Sequence, residues 1–157
     1  MQERIDWKSV APDAFAAQLG LETYARRAGL PAALLELVKT RASQINGCAY
    51  CLDMHTKDAR AHGESEQRLH ALAAWREAPF YSERERAALA WTEAVTRIAD
   101  KGVDDETYAE ARRHFDAKEL VDLTLAIVAI NGWNRLAIAF RTPAGSYQPA
   151  AHSSPTR

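Results

Sequence analysis

Between Leu120 and Phe140 the chain carries apolar side chains on nearly every helical face. A helix of that kind cannot lie on a wet surface; it is buried in a core or at a subunit interface. The rest of the chain must then supply amphipathic helices to surround it, and it reads that way. Pro12 to about Ala28 places Phe15, Leu19 and Tyr24 on a helix closed by Gly29. Pro31 suits a first helical turn, and Leu34, Leu35, Leu37, Val38 and Ile45 form a stripe that Asn46–Gly47 interrupts. Cys48 to His62 follows, with Gly63 as the terminating residue. Ser65 caps a short helix to about Arg76, before the break at Pro79. Ser82-x-x-Glu85 is a capping box ahead of Ala88, Leu89, Trp91, Val95 and Ile98, with Gly102 as the stop. Asp104 or Asp105 opens a helix to about His114, and Asp116-x-x-Glu119 caps the apolar segment. No run reads as a strand. The fold class is all-α, a multihelical bundle over residues 1–141. From Thr142 the composition turns to Pro, Ser, Gly and Ala, which predicts a disordered tail over 142–157.

At 157 residues the chain is sized for one domain. Its formal net charge of -1 gives no basic surface for nucleic acid. The opening MQERIDWKSV lacks the apolar stretch of a signal peptide. The longest uninterrupted apolar run, Leu123–Ile130, falls far short of the roughly 20 residues that cross a bilayer. These features predict a cytoplasmic protein with no membrane and no nucleic-acid partner. The two cysteines, Cys48 and Cys51, are three positions apart. A disulfide between them would close almost no loop, so it would stabilise little. In a reducing compartment such a pair is redox-active or metal-binding more often than a staple.

Cys51 and His55 are four residues apart, so on a helix both side chains share one face, about one turn from each other. An imidazole there can take the thiol proton or hold a thiolate by charge. A helix N-terminus would lower a cysteine pKa further. Cys48 lies near enough to trap an oxidised Cys51. A nucleophile, a base and a resolving thiol are therefore present together. Glu36 lies about three helical turns before Cys48 on the preceding segment. If the two helices fold back at Asn46–Gly47, its carboxylate can approach and orient His55, as the third member of a triad does.

Other readings stay open on these residues alone. The cysteines could be two small buried hydrophobes. A zinc site of the Cys-Cys-His kind lacks the fourth protein ligand usual in structural sites. Glu36 could be a solvated helix residue. His62, His70, His114 and His152 have no useful partner spacing and read as surface or satisfied histidines. Trp7, Trp75, Trp91 and Trp133 read as core or interface aromatics.

The pattern Glu36-x-x-Lys39-x-Arg41-x-Ser43-x-x-Asn46-x-Cys48-x-Tyr50-Cys51-x-x-x-His55 resembles the AhpD-like alkylhydroperoxidase core within the carboxymuconolactone decarboxylase family. The match is dense over Leu34–Ala61, and a compatible helical pattern extends to about Phe140; the N-terminal part matches less well. The resemblance implies an all-helical fold built on helical hairpins, with the CxxC at a helix N-terminus. It implies a homo-oligomer, trimer or hexamer, without a bound organic cofactor or metal. It also implies a peroxidase, or disulfide oxidoreductase, that reduces organic hydroperoxides and is recycled by an external dithiol or thiol protein. In that reading Cys51 is the peroxidatic thiol and Cys48 the resolving thiol. His55 is the base, and Glu36 is its relay partner. Tyr50 stands where well-studied AhpD proteins carry a histidine, so that imidazole's role is absent here. A depressed pKa at the first cysteine, as in thioredoxin-like sites, is the competing expectation for the nucleophile. The alternatives are a non-enzymatic redox sensor or scaffold, and a lyase of the carboxymuconolactone-decarboxylase kind using His55 and Glu36.

Overall fold

A computed structural model describes residues 2–149, and among these the regular structure is helical throughout. Nine α-helices follow in chain order: α1 (Trp7–Val10), α2 (Pro12–Arg27), α3 (Ala32–Asn46), α4 (Ala49–Ala61), α5 (Glu66–Ala71), α6 (Glu83–Thr96), α7 (Ile98–Lys101), α8 (Asp105–His114) and α9 (Ala117–Phe140). A single 3-10 turn, Leu72–Ala74, continues α5. The local signals act where the sequence puts them. Ser82 and Asp116 each accept a backbone N–H while Glu85 and Glu119 reach back, so both capping boxes close.

α3 folds back onto α4, and α3 also packs on α6 and α9, while α2 lies along α9. The main core is formed by Leu34, Leu35 and Val38 of α3 with Ala88 and Trp91 of α6 and Leu123, Ala126 and Ile127 of α9. With 24 residues α9 is about 36 Å long. Counting only the unbroken run at Leu123–Ile130 underestimated it: by length and composition the whole helix could cross a membrane. Here it lies against α2, α3 and α6, and its polar groups find partners there. Asp122 accepts from Tyr24, Asn131 donates to Thr96 and Asn134 donates to Ser43. Its other side leaves Val121, Val128 and Ile138 exposed.

On α2, Leu19 and Tyr24 are exposed, and Glu22 and Ala25 are buried. The reason is tertiary: α2 presents Gln18 and Glu22 to its neighbours, with Gln18 donating to the Ala129 carbonyl and Glu22 accepting from Lys39. The described part of the segment after Thr142 lies along α4, where composition alone predicts disorder. Gly145 N–H donates to Asp53, Lys57 donates to the Tyr147 carbonyl and the Tyr147 hydroxyl donates to Asp58 at 2.7 Å. Residues 150–157 lie outside the described residues, and with them His152.

The α3–α4 hairpin turns on Gly47, whose φ of +71° is left-handed. Nothing stands within 4 Å of a Cβ built there, so an added methyl meets strain and no clash. Gly47→Ala should lower stability by roughly 1 kcal/mol, a loss of a few degrees in Tm, as thermal unfolding would measure. An unchanged Tm would show that this turn relaxes freely.

Candidate active site

The Gly47 turn carries the chain directly into the N-terminus of α4. Cys48 caps that helix in an extended conformation, its own N–H bonded to the Ser43 carbonyl at 3.0 Å. Its sulfur accepts the Cys51 backbone N–H at 3.3 Å, as an oxygen would at an ordinary cap. Cys51 sits in the first turn, and His55 follows one turn later on the same side. Both thiols are reduced and buried, packed with Ala42, Ile130 and Ala137.

The hairpin brings Glu36 of α3 against His55, Oε2 to Nδ1 at 2.7 Å, and both are almost fully buried. Burial alone would push the Glu36 carboxyl up. The hydrogen bond and charge of His55, with Lys39 and Arg26 nearby, hold it below its ordinary value. The imidazole is thereby fixed through Nδ1, while its Nε2 is buried without a partner. A buried ring nitrogen left unbonded is costly in a site that only holds the fold together. A group accepting or passing a proton requires that open position.

The two thiols are unequal. Cys48 is drawn down to about 7 by the hydrogen bond from Cys51, against burial, with the Cys51 backbone N–H and Asn134 assisting. Cys51 is pushed up, because it keeps the proton it shares with Cys48 and because it is buried. Of the two, Cys48 is therefore the thiol that gives up its proton more readily, as expected for the first cysteine of a pair at a helix N-terminus. Yet Cys51, with His55, lines a cavity of about 280 Å³. Charge and access fall on different sulfurs. Titrating the reduced protein by the ultraviolet absorbance of thiolate should show one step near pH 7. Cys48→Ser should remove that step from the neutral range. A step that survives there but vanishes in Cys51→Ser would put the charge on Cys51 instead.

Several contributors carried no motif. Asn134 of α9 lies beside the thiols and favours the ionised form of each, and its amide is held by Ser43 and Asn46. The two asparagines set inside an apolar helix, Asn131 and Asn134, were the available signal. Glu22 also lines the cavity, bonded to Lys39, which is fully buried, and to Arg26 at 2.6 Å. Trp7 and Trp133, read from sequence as core or interface aromatics, pack in the interior and also line the cavity beside Cys51, while Trp75 and Trp91 are buried in the core. Tyr50 lines it too, its phenol kept neutral by burial and by the nearby sulfurs. Other residues of the sequence pattern are structural. Arg41 pairs with Glu93, and Asn46 joins Asn131 to Asn134. The remaining described histidines are peripheral: His62 contacts the Asp58 carbonyl, His114 contacts Glu110, and His70 is exposed.

For metal, the structure groups Glu36, His55 and Asp58, each offering one ligand atom within 4.8 Å of the others, and not the two cysteines with His55. Glu36 is already bonded to His55, and Asp58 to Tyr147. That set is engaged in internal hydrogen bonds.

Comparison with known proteins agrees with this architecture. Residues 12–94 match the carboxymuconolactone decarboxylase family. An uncharacterized Bacillus subtilis (strain 168) protein, YdfG, is 44% identical over 146 residues, covering 93% of this chain and 99% of its own. A crystal structure from Agrobacterium tumefaciens superposes with a TM-score of 0.90 at 45% identity, over 93% of this chain and 100% of that one. That protein's function is unknown, and it has been suggested to be the antioxidant defence protein AhpD. The debrominase Bmp8 shares the fold, with a TM-score of 0.78 at 24% identity over 88% of this chain and 74% of its own. With the family matched across the α2–α6 region and a relative aligned over nearly its whole length, the chain belongs to the carboxymuconolactone decarboxylase family, as an AhpD-like member.

Proposed function

We propose that the protein is a thiol-dependent peroxidase that reduces organic hydroperoxides and is recycled by an external dithiol. The observation that carries this reading is the cavity wall at Cys51. There a thiol and a buried imidazole line one wall; the imidazole is fixed by Glu36 on one nitrogen and open on the other, and a second sulfur, Cys48, accepts the Cys51 backbone N–H. The description of the Agrobacterium relative as AhpD supports the same class of chemistry.

In the resting site Cys51 is protonated and donates to the Cys48 thiolate. When hydroperoxide enters, the Cys51 proton moves to Cys48 along that bond, or to Nε2 of His55. The freed Cys51 sulfur attacks the terminal oxygen of ROOH. The O–O bond breaks, its electron pair leaves with RO⁻, and His55 or solvent supplies the proton that makes ROH. Cys51 is now a sulfenic acid, oxidised by two electrons. Cys48 condenses with it, forming the Cys48–Cys51 disulfide and releasing water. An external dithiol then returns both sulfurs to thiols by exchange, leaving as its own disulfide. Asn134 beside the sulfurs favours the anionic form of each during these transfers. A pair of this kind works in a reducing compartment such as the cytoplasm.

Rapid mixing of the reduced protein with tert-butyl hydroperoxide, followed by mass spectrometry, tests the reading. The expected product is an internal Cys48–Cys51 disulfide formed in one fast turnover, with repeated turnover once dithiothreitol is present. Oxidation no faster than that of a free thiol would end it.

A further inference from the structure

The cavity beside Cys51 takes its walls from distant parts of the chain. Trp7 comes from α1, Phe15 from α2, Tyr50 from α4 and Trp133 from α9. Trp7, Phe15 and Trp133 form one mutually packed cluster, with ring centroids 5.8, 5.9 and 5.8 Å apart and every pair tilted or edge-on. Such a surface gains most from another ring laid against it. Its size bears on the occupant. Hydrogen peroxide is scarcely larger than a water molecule, so in a cavity of about 280 Å³ it would touch only a small part of the wall. An unfilled apolar wall forfeits its dispersion contacts. The space suits a ring-bearing organic group.

The charges along the cavity add a second requirement. Lining cations are Lys8 and Arg26, and the lining carboxylate is Glu22. Glu22 is already held by Arg26 and by Lys39. Lys8 has its ammonium 5.7 Å from the ring centroids of both Phe15 and Tyr50, near the outer limit of a cation–π contact. It therefore retains donors for an anion at the edge of the aromatic wall.

We infer that, given the peroxidase reading above, the preferred substrate is an aromatic hydroperoxide bearing a carboxylate. Its ring lies against Trp7, Phe15 and Trp133, its carboxylate meets Lys8, and its peroxide oxygen reaches Cys51. The reaction is the one already balanced above. These residues set specificity and take no proton or electron.

Four hydroperoxides separate the contributions: tert-butyl hydroperoxide, cumene hydroperoxide, para-carboxylated cumene hydroperoxide and the methyl ester of that acid. The cumyl compound should exceed the tert-butyl one in kcat/KM by about tenfold, from the added ring contacts. The acid should exceed its ester by about tenfold, the worth of one charge-assisted hydrogen bond, and added salt should shrink that advantage. Lys8→Gln should bring the acid-to-ester ratio close to one. Trp7→Leu should shrink the cumyl-to-tert-butyl ratio, and Trp133→Leu provides the same readout if the Trp7 variant does not fold. Binding of the unreactive carbinol acid, measured by calorimetry on the wild type and on Lys8→Gln, is independent of turnover. If no hydroperoxide is reduced but the carbinol acid binds through Lys8, the reaction fails and the ligand class stands. If all four hydroperoxides react equally and the carbinol acid binds no better than its ester, the ligand class is overturned while the peroxidase reading survives.

Discussion

Cys51→Ser should abolish catalytic reduction of tert-butyl hydroperoxide, with kcat/KM falling on the order of a thousandfold or more, the scale seen when an enzyme loses its nucleophile. A hydroxyl in that place keeps the shape of the cavity wall, but it cannot accept an oxygen atom from a peroxide at neutral pH. Cys48→Ser should behave differently. Its first turnover should proceed and leave one sulfenic acid per chain on Cys51, because that sulfur and His55 still line the cavity. The reaction should then stall, since no thiol stands behind to condense. A dione that traps sulfenic acids, with peptide mapping, reads both variants in one experiment. The reverse pattern, a dead Cys48→Ser and a sulfenic acid on Cys48 in Cys51→Ser, would make the low-pKa thiol the nucleophile. A redox sensor would show a single slow oxidation in the wild type. A lyase working through His55 and Glu36 would survive the loss of both sulfurs.

Removing the buried ammonium of Lys39 should have the largest effect on stability. Lys39 is fully buried, its Nζ is bonded to Glu22 Oε1, and Glu22 Oε2 is buried without a partner. Burial would push the Glu22 carboxyl up, but Lys39 first and then Arg26 keep it below its usual range, so it is ionised inside the protein. Lys39→Met leaves that carboxylate facing only Arg26, whose side chain is 49% exposed and solvent-screened. Breaking one side of a buried pair costs about 3–5 kcal/mol. For a chain of this length that is about 10 °C in Tm. The double substitution Lys39→Met with Glu22→Leu removes both charges and should recover much of the loss, since a well-packed apolar pair often equals a buried ion pair. Calorimetric unfolding of the reduced protein measures both. A single variant as stable as the wild type would mean that Arg26 alone satisfies Glu22. Because Glu22 also lines the cavity, activity is a separate readout from stability here.

What the amino-acid order determined by itself is local. The capping boxes at Ser82 and Asp116, the stop at Gly63 and the turn at Gly47 involve residues a few positions apart, and the structure has them where the sequence reading did. The same holds for Cys48, Cys51 and His55, whose spacing of three and four places them on one face of any helix that begins there. Glu36 is intermediate. Its approach to His55 needed only a hairpin closed at Gly47, and the structure puts their atoms 2.7 Å apart. Packing between distant segments decided the rest. The sequence put Leu19 and Tyr24 on α2, but which face of that helix is buried was set by the polar network of Glu22 and Lys39, which leaves both exposed. Trp7 and Trp133 are separated by most of the chain and meet at 5.9 Å only because α9 passes behind α1 and α2. Asn134 reaches the thiols, and Tyr147 reaches Asp58, by similarly long-range contacts. A helix's spacing follows from its own backbone, so sequence alone displays it. A cavity wall depends on which surfaces meet after collapse, and that information is shared among all the segments at once.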